Sequence, residues 1–188
     1  MDVMGVLTAF GLSASAGLNA YIPLLIVAFL AKFTTLIKLN QPWDALTSWW
    51  IIGLLLVLSL IEFFADKVPA VNHANDLIQT FIRPTAGAVL FAASANVLTD
   101  VSPVLSVGAG LLVAGSVHAV KSLAVRPAVT ATTGGFANIP VSIAEDLLSF
   151  VTSILSVIVP VLIACLLVII TAWITWRMYR RRRAELAR

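Results

Sequence analysis

The sequence predicts an all-α, polytopic helical membrane protein, and three observations carry that expectation. Of 188 residues, 60% are hydrophobic and 11% are charged, against about 25% charged in a typical soluble domain, so the chain has too little charge to hydrate the surface of a soluble fold. The mean hydropathy is +1.02, and the apolar residues lie in long uncharged runs rather than being spread evenly, which makes lipid the expected solvent. Four consecutive arginines, Arg180 to Arg183, follow an apolar run ending in Trp173 and Trp176. That is the pattern of a cytoplasmic membrane anchor rather than of a nucleic-acid patch. An ordinary cytosolic enzyme, a nucleic-acid-binding domain and a disordered regulator are excluded together.

The formal net charge of +3 belongs to the tail, because residues 177–188 hold six of the 12 basic residues and one of the nine acidic ones. Residues 1–176 are therefore net −2, read as a single transmembrane domain, with 177–188 as a basic cytoplasmic tail. Cys165 is the one cysteine, so neither an intrachain disulfide nor a Cys-x-x-Cys pair exists.

Charge-free runs set the order of the elements, since crossing about 30 Å of hydrocarbon takes roughly 20 apolar residues. They are Val3 to Ala31, Ala45 to Ile61, Pro84 to Thr99, Val101 to Val120, Pro127 to Ala144 and Leu147 to Trp176. The first has no Lys or Arg before it, only Asp2, and is expected to remain a membrane helix rather than a cleaved signal. The second carries Trp49 and Trp50 at one end, the fourth is charge-free to His118 and Lys121, and the sixth ends in the tryptophans and arginines. The fifth is poor helix material: three threonines, Pro127, Pro140 and adjacent Gly134-Gly135 favour unwinding there. It is expected either to re-enter or to cross as a broken helix, giving five to six membrane segments. Residues 69–83 add one interfacial amphipathic helix, with Val71, Leu77, Ile78, Phe81 and Ile82 as its apolar side and Pro84 as its stop.

With the arginine tail inside and six crossings, Lys67, Arg83, Lys121 and Arg126 fall on the cytoplasmic side, and Asp100, Glu145 and Asp146 fall outside. Lys32 and Lys38 then sit awkwardly outside. The expected location is a bacterial inner membrane, multi-pass, with a cytoplasmic C-terminus. Gly17-Leu-Asn-Ala-Tyr-Ile-Pro23 echoes Gly135-Phe-Ala-Asn-Ile-Pro140, and His73 to Pro84 echoes His118 to Pro127. These echoes point to an internal repeat, although Arg-Pro and Ile-Pro also recur at helix boundaries; paired broken segments mark transport sites.

The candidate site residues follow from the cost of polar groups in lipid. Glu62 stands at the end of the second run, just inside the expected membrane, with Asp66 one turn on and Lys121 or Arg126 as an expected ion partner. His118 closes the fourth run, either as a proton shuttle or as a group hydrogen-bonded to a carbonyl. Glu145 and Asp146 follow the broken segment, one directed inward and one to solvent. With Asn19, Thr132, Asn138 and unwound carbonyls around Thr130 to Gly135, they offer hard oxygen ligands for a cation. No bound transition metal, organic cofactor or catalytic residue is expected, because no His pair completes a metal set and no nucleophile elbow, zinc-protease or nucleotide loop is present.

Glu62-Phe-Phe-Ala-Asp-Lys-Val-Pro-Ala-Val-Asn-His73, Asp76-Leu-Ile-Gln-Thr-Phe-Ile-Arg-Pro84, His118-Ala-Val-Lys121 and Arg126 through Asn138 together resemble a bacterial family of small integral membrane proteins, described only as domain of unknown function 4126. The resemblance covers nearly the whole chain. It implies the membrane class and brings no catalytic or binding residue with it. The function expected from the residues is a small-solute or ion transporter, or a channel-like protein, sited between the broken stretches 17–23 and 134–140. The alternatives are a non-transporting scaffold or regulatory subunit and, as a third class, an intramembrane enzyme. The expected partners are the lipid bilayer, a small solute or ion and further copies of the chain, and not nucleic acid.

Overall fold

In the computed structural model the chain is all-helical, with no strand among the described residues. The structure describes the backbone of residues 3–67, 69–95 and 102–186, and the side chains of 5–67, 75–94 and 102–159 with Trp173, Trp176 and Arg180. Asp2 and Asp100, and the side chains of Val71, His73, Cys165, Tyr179 and Arg181 to Arg183, lie outside the described residues. The elements are α1 (Val3–Leu18), α2 (Tyr21–Phe33), a 3-10 turn (Trp43–Thr47), α3 (Trp49–Ala65), α4 (Pro69–Ala95), α5 (Pro103–Val120), a π turn (Lys121–Val125), α6 (Arg126–Thr133) and α7 (Asn138–Leu186). From Pro103 to Thr133 the chain is one helix of 31 residues. That helix and Asn138–Val159 are long and apolar enough to cross a membrane, and α1, α2 and α3 are shorter apolar helices.

Side-chain contacts fix the directions of the helices. α1 runs antiparallel to α7, with Ser15 against Ser149 and Gly11 against Ser156. It runs antiparallel to α4 as well, with Ser13 on the Gly87 carbonyl and Phe10 edge-on to Phe91. It is parallel to α5, where Ser13 also reaches the Gly110 carbonyl and Gly17 abuts Val117. At one end of α2 Phe33 meets Trp49 at the start of α3, and at the other Tyr21 lies beside Glu62 near the end of α3. The legs therefore alternate in direction, and the ends of α1, α3 and α5 meet the beginnings of α2, α4 and α7 at a single pole of the bundle.

That arrangement changes four expectations. The first apolar run is two legs instead of one: the chain turns back at Asn19-Ala20, where Asn19 Oδ1 accepts from the N–H groups of Tyr21 and Ile22, both at 3.0 Å, and so starts α2. A buried turn needs such partners for its freed backbone groups. The fifth run forms no helix of its own. Residues 126–133 are helical and extend α5, Gly134 and Gly135 take φ of 63° and 94°, a region glycine enters without steric cost, and α7 begins at Asn138. Residues 69–83 are the first half of α4, which continues through Pro84. Leu77, Ile78 and Phe81 there are 69%, 57% and 74% exposed while Gln79 and Arg83 are buried, so the polar stripe is the packed side. Finally, Glu145 stands at the same pole as Lys121 and Arg126, whereas Arg180, stacked on Trp176 at 4.8 Å, lies about 50 Å farther along α7 at 1.5 Å per residue. The basic residues of the pole and Arg180 therefore stand toward opposite ends of α7. Of the first sequence echo, residues 17–23 lead into the 13-residue α2 and residues 135–140 into the 49-residue α7.

Small residues let α1, α4 and α5 approach closely, as interhelical packing in lipid favours. A Cβ on Gly110 would stand 2.5 Å from the Gly87 carbonyl oxygen and 2.6 Å from Ala88 Cα, both backbone atoms, whereas one on Gly53 would meet nothing within 4 Å. Gly110→Val should destabilise the bundle by about 1–3 kcal/mol through overpacking and lower the thermal midpoint of the detergent-solubilised protein. Gly53→Ala should not lower that midpoint, since alanine is favoured over glycine in a helix interior.

Candidate functional site

The common pole gathers charge. Glu62 ends α3 and Asp66 follows it by one turn. α4 presents Asp76, Gln79, Thr80 and Arg83 at spacings of three, four and seven, which is one helix face. The π turn has a direct geometric effect: the Arg126 N–H bonds the Lys121 carbonyl five residues back, and this wider turn brings residues five apart toward one face. Lys121 and Arg126 thereby reach the same two carboxylates. On α7, Ser142, Glu145 and Ser149 repeat at helical spacing and face inward.

The resulting ion pairs form a connected cluster. Arg83 is wholly buried and grips Glu62 Oε1 through Nη2 at 2.8 Å and Nε at 3.3 Å. Asp66 Oδ2 accepts from Arg126 at 2.9 Å and lies 3.6 Å from Lys121 and 3.7 Å from Arg83. Its other oxygen accepts from the Asn75 amide at 2.7 Å. Glu145 pairs with Lys121 at 2.9 Å and with Arg126 at 3.1 Å, and Asp76 lies 3.6 Å from Arg126. Lys121 also donates to the Leu18 carbonyl, left free at the end of α1, at 3.0 Å. At the rim Asp146 accepts from Asn19 at 3.0 Å and pairs with Lys67 at 3.6 Å. Arg83 Nη1 stands 3.1 Å from His118 Nδ1, so that nitrogen is the acceptor. The neutral Nε2–H tautomer then faces Thr80 Oγ1 at 3.2 Å.

In the turn after α3, burial pushes the Asp66 carboxyl upward, but Lys121, Arg126 and Arg83, aided by the Asn75 amide, outweigh it and hold the group below its ordinary range. Two cavities reach the cluster. One of about 580 Å³ is lined by Asp76, Thr80, Ser122, Arg126, Thr130 and Asn138, among others. The other, of about 460 Å³, is walled by Lys121 and Glu145 together with apolar residues of α5 and α7.

Of the residues expected from the sequence, Asn19, Glu62, Asp66, His118, Lys121, Arg126 and Glu145 come together at this pole. Asn138 does not join the ion pairs; its amide donates to Thr130 at 3.0 Å on the cavity wall. Thr132 is exposed and bonds its own helix carbonyls at Ala128 and Val129. The expected cation cradle is not formed, because residues 130–133 are helical rather than unwound and the Asn19 carbonyl oxygen is spent on capping α2. No group of three His, Cys, Asp or Glu side chains among the described residues is placed to hold a metal ion. Glu62 pairs with Arg83 rather than with Lys121 or Arg126, and Glu145 and Asp146 both turn toward protein.

Sequence reasoning missed Arg83, Asp76, Gln79 and Asn75 as members of the site. Their signal was present as the polar stripe at 76, 79, 80 and 83, which had been given to the solvent side of a surface helix. The structure turns that stripe, rather than Leu77, Ile78 and Phe81, toward the neighbouring helices.

Fold and site together define a helical bundle that is apolar outside and ionic at one inner pole. The chain belongs to the family described as Domain of unknown function (DUF4126), whose sequence profile matches residues 6–181. No curated protein and no solved structure matches it.

Lys121→Ala should cost about 3–5 kcal/mol, because it strips a nearby cation from a buried Glu145. The paired substitution Lys121→Met with Glu145→Leu should recover most of the loss. Thermal midpoints of the three variants in one detergent check this, and a double variant no more stable than Lys121→Ala would contradict it.

Proposed function

We propose that this chain is a multi-pass membrane protein that moves a small solute or ion across the bilayer, using the buried ionic pole as its site. The observation that carries the reading is the accessibility of that pole. Lys121 and Glu145 form part of one cavity wall, and Asp76 and Arg126 part of another, so charges held inside an apolar bundle are open to small polar molecules. Ionisable groups at membrane depth face the protein interior or a water-filled space, and they mark ion and substrate paths.

The outward surface supports the membrane setting. Trp50, Leu54, Val57, Leu60, Ile61 and Phe64 on α3 are all exposed, a continuous apolar face suited to acyl chains. The legs α1 to α3 hold 16, 13 and 17 residues, about 20–25 Å each at 1.5 Å per residue. Their polar junction at Asn19 therefore lies within the bilayer's depth, where its protein partners satisfy it.

Orientation follows from which cations are free. Those of the pole are paired, and all but Lys67 at its rim are buried. Lys38 is exposed, and Lys32, bonded to the Thr47 carbonyl and standing 4.5 Å from Trp49, belongs to the same opposite end of the bundle. The arginine run leaves from that end. Placing this end in the cytoplasm collects Lys32, Lys38 and the arginines on one side, as the positive-inside rule requires, and opens the ionic pole outward. In a Cys165→Ser background, Lys38→Cys should then label only from the cytoplasmic face and Thr133→Cys only from the outer face; the reverse pattern would overturn this orientation.

Reconstituted protein should carry ions or small polar solutes, read first as proton flux with an entrapped pH dye under a clamped potassium gradient, then with a panel of radiolabelled solutes. Glu145→Gln and Lys121→Ala vesicles with matched folded protein should fall to the rate of empty vesicles. Wild-type vesicles indistinguishable from empty ones in every assay would refute the transport reading.

A further inference from the structure

Three carboxylate oxygens of the pole accept no hydrogen bond, Glu62 Oε2, Asp76 Oδ1 and Asp146 Oδ2, and the first belongs to its most buried acid. Glu62 Oε1 takes both guanidinium bonds from Arg83, while Oε2, on a residue 1% exposed, accepts none. On the facing helix, one turn before Arg83 and on the same face, Gln79 is 2% exposed; its amide hydrogen-bonds the Tyr21 side chain, while its Oε1 has no donor. Two dry acceptors in one neighbourhood are rare in folded proteins and call for an explanation. What both lack is a hydrogen.

Charge counting reaches the same point. Among the described residues the ion pairs of the pole join five carboxylates, Glu62, Asp66, Asp76, Glu145 and Asp146, to four cations, Lys67, Arg83, Lys121 and Arg126. The sum is −1, and one added proton makes it neutral. His118, accepting from Arg83 through Nδ1, adds no charge in that tautomer.

We propose that Glu62 is a reversible protonation site. A proton from water adds to Oε2, the new O–H donates to Gln79 Oε1, and Oε1 keeps Arg83. The groups facing the site are Tyr21 from α2, Arg83 from α4, Lys121 from the π turn, and Asp66 on its own segment. Thr80, His118 and Arg83 form a hydrogen-bonded line from the wall of the larger cavity to Oε1 of the same carboxyl. Protonation removes the charge nearest to Arg83 and leaves Asp66, 3.7 Å away, as its remaining counter-charge. Asp66 also holds Lys121 and Arg126, so the proton's arrival is felt at both cavity walls. As the coupling ion of a carrier, this proton rests on the transport reading above; as a titrating group, it stands without it.

The test is infrared spectroscopy of the full chain in phosphatidylcholine vesicles, titrated from about pH 4 to about pH 9 to cover the usual range of perturbed carboxyls. The expected result is a carboxylic C=O band that grows on acidification, shifts in heavy water, is absent in Glu62→Gln and moves in Gln79→Leu. Should Glu62→Gln fail to fold, the movement in Gln79→Leu alone assigns the band. Spectra showing Glu62 as carboxylate at every pH overturn the proposal and leave a bound water as the missing donor, and a band unmoved in Gln79→Leu removes Gln79 as the acceptor. A Glu62 band in protein that carries no flux sinks the transport reading and keeps the site, whereas flux without the band does the opposite.

Discussion

The structure is organised around the cost of taking charge out of water. An isolated buried ion loses several kcal/mol of hydration, and only close counter-charges and further hydrogen bonds offset it. Asp66 shows how this chain meets that demand: one carboxylate, on the turn between α3 and α4, is approached by Arg83 from α4, by Lys121 from the π turn and by Arg126 from α6. Glu145 on α7 shares two of those cations. Four helical elements and the turn after α3 must therefore end their polar faces at one level. The rest of the fold consists of apolar legs leading away from that level.

Away from the pole the bundle is held by close packing rather than by charge. Ser13 donates to the Gly87 or Gly110 carbonyl, at 3.1 and 3.0 Å, and Ser15 sits among Ser149 and Ser153. Small side chains let backbones approach and spend their hydroxyls on neighbouring carbonyls, which is how helices associate where apolar surface offers no gain over lipid. The polar interior thus has two parts with different tasks, a serine and glycine seam that fixes helix spacing and an ionic pole that fixes register. The cavities touch only the second.

The pole's composition was largely readable in the chain. Glu62 and Asp66 at four-residue spacing, His118 with Lys121, and Glu145 after the diglycine stood out because charges are rare in apolar runs. Arg83 was hidden by a reasonable rule, since a basic residue between two runs usually marks a cytoplasmic loop. Nothing in a linear count distinguishes an arginine that meets water from one that turns inward to a carboxylate 21 positions earlier. The turn at Asn19-Ala20 was hidden for a related reason: a run of apolar residues gives the length of helix available, and a two-residue return within it carries no charge to announce itself.

The sequence by itself determined an all-helical chain rich in long apolar runs, a breaking point at Gly134-Gly135, and a short set of polar residues that must be partnered. These are local and compositional properties, set by transfer free energies and by the backbone freedom of glycine. Tertiary structure alone decided which charges pair, that the first run makes two legs and the fifth none, and that the ionic pole and the arginine tail stand at opposite ends. Each of those depends on contacts between residues far apart in the chain, where the register of one helix against another, and not the identity of any residue, selects the partner.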